Sequence, residues 1–123
     1  MTERSVASKL LIKPGQTVRL IGADAAQSAL LGPLPDGATA TGSGTTADVA
    51  LLFARDRGRL DELLPQLEPF RASTVVWLCY PKGNTTDLNR DVIRVHVETL
   101  GWEAVGIVAL DQAWSALRVK NLR

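Results

Sequence analysis

Val49-Ala50-Leu51-Leu52-Phe53-Ala54 is an uninterrupted run of six apolar residues, and such a run is typical of a β-strand that is covered on both faces. Leucines at positions 60, 63, 64 and 67 follow at the spacing of an amphipathic helix, which Pro65 is expected to kink or end. A second buried strand is predicted over residues 73–80, whose last six residues are apolar, and it stops at Pro81. This order of strand, helix and strand predicts two parallel strands joined by a right-handed crossover, as in a doubly wound α/β sandwich.

The segments on either side extend the predicted sheet. We predict a strand at 17–22, a short helix at 23–31 with Asp24 as its cap, an edge strand at 38–42, a helix at about 87–100, and strands at 103–110 and 114–119. Residues 111–113 are too few to hold a helix, so the last two strands should form an antiparallel hairpin. The predicted fold is therefore α/β: a small, Rossmann-like, mostly parallel sheet with flanking helices and a C-terminal antiparallel hairpin.

Composition limits the class of protein. The chain has 123 residues, of which 46% are hydrophobic and 22% charged, so a single α/β domain over residues 1–123 is expected. Lys and Arg total 14 against 13 Asp and Glu, and because no stripe concentrates the basic residues, we expect no nucleic-acid partner. No apolar run reaches the roughly 18 residues of a membrane span, and no signal peptide is visible, so no membrane partner is expected. Cys79 is the only cysteine, which leaves a cytoplasmic location as the default.

Residues 48–120 resemble the second half of the class I S-adenosylmethionine-dependent methyltransferases. There too a strand, a helix, a strand and a helix precede an antiparallel hairpin, and the runs 48–53 and 75–81 correspond to the two strands. The first half departs from that family, because Ile21-Gly22-Ala23-Asp24 has one glycine where the family has a glycine-rich loop. The resemblance thus implies the fold, and the departure leads us to expect no bound cofactor and no S-adenosylmethionine binding in the usual mode.

The chain is also similar, over nearly its whole length, to a family of small bacterial proteins of unassigned function, often found in actinobacteria. The similarity lies in four segments: Lys13-Pro14-Gly15-Gln16, Arg55-Asp56, Pro81-Lys82 and Trp114-Ser115-Ala116-Leu117-Arg118. It implies a bacterial protein of this fold but no activity. Trp114 and Arg118 are compatible either with packing or with a partner surface.

The strongest candidate site follows the second buried strand. Residues 82–86 lie between the C-terminal end of that strand and the start of a helix, which is where open α/β sheets bind ligands. We predict that a small anionic ligand is held there by side chains from three neighbouring strand ends: Lys82, Asn84, Thr85, Asp87, Arg55 and Asp24. The residues of 82–86 by themselves favour a plain polar loop that caps its helix, and the binding site is the interpretation that the position at the sheet edge adds. Arg90, Asp91 and Arg94, further along the helix, have the spacing of ordinary surface ion pairs, and a site on this polar face is the alternative.

No constellation of catalytic or metal-ligating residues is apparent. His96 is the only histidine, and Val92 and Leu100 lie one turn away from it, so it is expected at the border of a packed helix face. Cys79 lies inside an apolar strand, where a thiol usually serves packing. The sequence therefore favours a non-catalytic ligand-binding or interaction module with a truncated methyltransferase-like fold. The alternative is an enzyme that acts on a small anionic or nucleotide-like ligand at the C-terminal edge of the sheet.

Overall fold

A computed structural model describes residues 6–42, 47–67, 70, 74–83 and 86–121 of the protein. Six strands and four α-helices are defined within these ranges. The strands are β1 (Thr17–Ile21), β2 (Thr39–Thr41), β3 (Val49–Phe53), β4 (Val75–Pro81), β5 (Trp102–Ala109) and β6 (Trp114–Asn121). The helices are α1 (Val6–Lys9), α2 (Ala25–Ala29), α3 (Arg57–Leu63) and α4 (Arg90–Glu98), and a 3-10 turn, Leu64–Leu67, continues α3.

All six strands join one sheet in the order β2-β1-β3-β4-β6-β5. The first four pair in parallel, whereas β6 is antiparallel both to β4 and to β5. The predicted fold class is therefore confirmed, including the antiparallel hairpin at the C-terminal end of the chain. The last strand lies inside the sheet and β5 lies at its edge, because β6 returns along the hairpin to pair with β4.

Apolar side chains on both faces of the central strands form two core layers. All five residues of β3 are buried, as expected for a continuously apolar strand. On one face, side chains of β3, β4 and β6 pack with α3 and α4 through Leu60, Leu63, Ile93 and Val97. On the other face the core includes Ala7 of α1, a helix that the sequence pattern did not predict because it is only four residues long.

Polar side chains define where the helices begin. Asp24 caps α2, as predicted, and accepts a hydrogen bond from the Gln27 amide at 2.8 Å. The predicted start of α4 at Asp87 is wrong by three residues, because Asn89 is the cap and accepts from the Val92 amide at 2.9 Å. Asp87 instead accepts a hydrogen bond from the amide of Arg57, the first residue of α3. None of the helices in the described ranges has the length and apolar content needed to cross a membrane.

Candidate functional site

Chain segments that follow β1, β3 and β4 meet at the C-terminal edge of the sheet, because these strands are parallel. The antiparallel strand β6 begins at the same edge, where Trp114 lies opposite Pro81. The described site residues that we predicted from sequence all belong to segments that follow strand ends. The structure nevertheless separates them into different groups.

Arg55 and Asp24 belong to one of these groups. A guanidinium nitrogen of Arg55 lies 3.9 Å from Asp24 Oδ2, and the two side chains are 67% and 57% exposed. The Arg55 guanidinium also lies 5.7 Å from the ring centroid of Trp114, within the range of a cation–π contact. The Trp114 ring in turn packs edge-to-face against Phe53, with centroids 5.6 Å apart. Trp114 is thus part of the core packing, and it holds Arg55 over its ring.

Lys82 belongs to a different group, which lines a polar cleft of about 310 Å³ at the end of β4. We call this the polar cleft. Its lining residues come from β4, the loop after it, the start of α4, β5 and β6: Tyr80, Pro81, Lys82, Gly83, Asn89, Arg90, Asp91, Ile107 and Ser115. The Lys82 ammonium donates to the Asp111 carbonyl at 2.5 Å, and the Lys82 amide donates to the Ala113 carbonyl at 2.8 Å. These two bonds tie the loop after β4 to the turn of the β5–β6 hairpin.

Among the described lining residues, two cations and one carboxylate set the charge of the polar cleft. Lys82 and Arg90 carry positive charge, and Asp91, whose Oδ1 lies 3.9 Å from Arg90 Nε, carries a negative one. Tyr80 is buried, and burial raises the pKa of its phenol. Asp91 raises that pKa further, while a hydrogen bond with Ser115 and the charge of Arg90 lower it. The phenol is therefore neutral at physiological pH and keeps its proton.

The remaining predicted residues have other positions. Asp87 bonds the start of α3, as described above, and is not among the residues that line the polar cleft. Asn84 and Thr85 lie outside the described residues. Arg118 is half-buried in the middle of β6, opposite Trp77 of β4, and so lies away from the C-terminal edge.

Sequence reasoning missed Tyr80, Arg90 and Ser115 as lining residues of the polar cleft. Tyr80 was predicted only as part of a buried strand. Arg90 was predicted to belong to surface ion pairs, with a site on that helix face as the alternative. The one available signal was the Trp114–Arg118 segment that carried the family resemblance, because Ser115 lies within it. The register that sets Ser115 opposite Tyr80 could not be predicted, since it depends on pairing between β4 and β6.

The structure offers little for metal or thiol chemistry. Within the described ranges, no group of three or more His, Cys, Asp and Glu side chains is arranged to hold a metal ion. Burial raises the pKa of the Cys79 thiol well above its ordinary value. Since the thiolate is the reactive form of cysteine, this thiol is suited to packing.

Comparison with known proteins shows the fold. No protein-family model and no curated protein sequence matches the chain. Among solved structures, the B. subtilis M1A22 tRNA methyltransferase TrmK is similar with a TM-score of 0.57 at 12% identity, over 98% of this chain and 67% of that one. A ribosomal protein L11 methylase from Lactobacillus delbrueckii subsp. bulgaricus has a TM-score of 0.57 at 14% identity, over 96% of this chain and 75% of that one. A complex of DhpI with SAH has a TM-score of 0.55 at 9% identity, over 96% of this chain and 84% of that one. The methyltransferase-like fold predicted from the sequence is thereby confirmed.

Proposed function

We propose that the protein is a non-catalytic binding module that holds a small anionic ligand in the polar cleft of a methyltransferase-like sheet. One observation carries the proposal: Lys82 and Arg90 line the same cleft, which Tyr80 and Ser115 also line. Arg90 is the first residue of α4, and the positive end of a helix dipole favours an anion at that end. Charge-assisted hydrogen bonds from Lys and Arg are the strong contacts by which proteins hold carboxylates and phosphates.

The side chains near this edge support a binding role over catalysis. A general acid or base works best with a pKa near the operating pH, and burial moves the pKa of Tyr80 away from neutrality. The carboxylates of Asp24, Asp56 and Asp87 each accept a hydrogen bond from a backbone amide at the start of a helix. They are thus engaged in holding the helices in place. Turnover of a bound ligand would instead support an enzyme acting on the same anion.

The loop after β1 argues against methyl transfer. Gly22 has a φ of 71°, and a Cβ placed on it would lie under 3.0 Å from Leu63 Cδ1. The glycine therefore makes room for a protein side chain. In the methyltransferases that this chain resembles, several glycines at this place let the backbone approach the cofactor. We accordingly expect no S-adenosylmethionine binding in that mode.

Isothermal titration calorimetry with inorganic phosphate, AMP and S-adenosylmethionine tests the proposed function. We expect saturable binding of phosphate or AMP and none of S-adenosylmethionine. Lys82→Ala and Arg90→Ala should each weaken binding about tenfold or more, since a hydrogen bond to a charged group contributes about 1.5–3 kcal/mol. Arg94→Ala is the matched control, because Arg94 lies on the same helix but does not line the polar cleft.

Arg55→Ala decides where the anion binds along the edge. Arg55 lies at the same edge of the sheet, beside Asp24, but does not line the polar cleft. We expect this variant to bind phosphate or AMP like the unaltered protein. Loss of affinity in Arg55→Ala, with Lys82→Ala and Arg90→Ala unchanged and folded, would place the site at Arg55 and refute the polar cleft. Absence of any anion binding would refute the proposed function altogether.

A further inference from the structure

A second cleft, of about 420 Å³, lies on the face of the sheet that α3 and α4 cover. We call it the apolar cleft. Except for Asp61 and His96, its lining residues are apolar: Leu64, Pro65, Leu67, Leu78, Val97, Leu100, Trp102 and Val119. The C-terminal half of α4 lines the apolar cleft and its N-terminal residues line the polar cleft. The two clefts have no lining residue in common among the described residues, so they can be tested independently.

A histidine–aspartate pair joins the two helices at the apolar cleft. His96 Nε2 on α4 lies 2.8 Å from Asp61 Oδ1 on α3, and the two side chains are 21% and 51% exposed. His96 had been expected only at the border of a packed helix face. Its partner could not be predicted, because Asp61 lies on another helix far away in the sequence. The pair connects the two walls of the cleft and so favours a cleft that is formed before any ligand binds.

The apolar cleft leaves hydrophobic surface uncovered. Leu100 is 39% exposed, and Leu64 and Trp102 are half-buried. Covering such surface with an apolar molecule is favourable, by about 25 cal/mol for each Å² removed from water. Clefts of about 300–1,000 Å³ with apolar walls and a few polar groups are typical sites for small molecules. The volume and the lining of the apolar cleft fall within this description.

We infer that the apolar cleft binds a small, uncharged, apolar molecule that carries one hydrogen-bond donor, such as a hydroxyl group. Asp61 and His96 are the only ionisable groups among the described lining residues, and they pair with each other. The other lining residues are apolar, so a charged ligand would lose most of its hydration in exchange for at most one contact, with the half-exposed Asp61 carboxylate. A carboxylate can accept several hydrogen bonds, so Asp61 is able to accept one from a ligand hydroxyl in addition to its contact with His96.

An NMR titration of the full chain with benzyl alcohol, and with toluene for comparison, tests this inference. Benzyl alcohol should cause saturable shifts in the amides of Val97, Leu100 and Trp102. We expect it to bind about three- to tenfold more tightly than toluene, as one added hydrogen bond predicts. Asp61→Ala should remove that difference, and circular dichroism checks that this variant is folded.

Two tryptophan substitutions, one within α4 and one just after it, form a test variant and its matched control. Leu100→Trp places a bulky ring at a residue that lines the apolar cleft, and it should abolish the saturable shifts. Val95→Trp is the control, because Val95 is 57% exposed and does not line the cleft. Arg90→Ala should leave benzyl alcohol binding unchanged, so failure of the anion site and failure of this site remain distinguishable. Shifts that do not saturate, or that persist in a folded Leu100→Trp variant, would overturn the inference.

Discussion

Gly22→Ala should destabilise the protein strongly, through two separate costs at the end of β1. Gly22 has a φ of 71°, and a residue with a Cβ pays about 1–2 kcal/mol in this left-handed region. The added Cβ would also lie under 3.0 Å from Leu63 Cδ1 and 3.0 Å from the carbonyl oxygen of Phe53. Leu63 is buried, and overpacking in a core costs about 1–3 kcal/mol. The expected loss in free energy of unfolding is therefore about 2–5 kcal/mol.

Gly32→Ala separates the two costs. Gly32 has a φ of 63°, close to that of Gly22, but among the described residues other than Gly32 and its two chain neighbours no atom lies within 4 Å of a Cβ placed there. This variant should lose only the conformational part, about 1–2 kcal/mol. Urea unfolding followed by circular dichroism gives both values, provided that the m-value is the same as for the unaltered protein. Equal losses in the two variants would refute the close packing of Gly22 against Leu63. A loss below about 0.5 kcal/mol in both would refute the conformational argument as well.

Two further predictions concern a buried thiol and a helix cap. Burial raises the pKa of Cys79, so the folded protein keeps a thiol proton that the unfolded chain releases. The contribution of Cys79 to the free energy of unfolding should therefore be constant below about pH 8.5 and fall above it by up to about 1.4 kcal/mol per pH unit. Urea unfolding from pH 7 to pH 10.5 measures how the free energy of unfolding changes with pH. Cys79→Ala should make this change smaller, and an identical change in the variant would contradict its assignment to Cys79. Asn89→Ala removes the side chain that accepts from the Val92 amide and should cost about 1 kcal/mol. Asn89→Asp keeps a hydrogen-bond acceptor and should cost much less. Equal melting temperatures of the two variants would argue against a capping role for Asn89.

Part of the polar cleft was predictable and part was not. Lys82 was placed at the C-terminal edge from strand order alone, because parallel strands bring their C-terminal ends to one edge. Arg90 and Ser115 were not, although they line the same cleft. Ser115 reaches it only because β6 pairs with β4 and sets this residue opposite Tyr80. The sequence predicted that β6 pairs with β5 in the hairpin, but it did not predict that β6 also pairs with β4.

Local patterns in the sequence determined the strands, most helix positions, the cap of α2 and the closing hairpin. Continuous apolar runs, Pro65 within the leucine stripe and a turn confined to residues 111–113 act over a few neighbouring residues, so they can be recognised without the fold. They also sufficed for the mostly parallel α/β class, since few connections join such elements.

Tertiary structure alone decided which distant residues meet. The pairing of His96 with Asp61, the hydrogen bond from the Arg57 amide to Asp87, and the packing of Leu63 against Gly22 each join separate elements. Each depends on how helices pack on the sheet, and no local pattern encodes that packing. Both clefts lie at such junctions, because a cleft opens where elements distant in the sequence pack side by side and leave space between them.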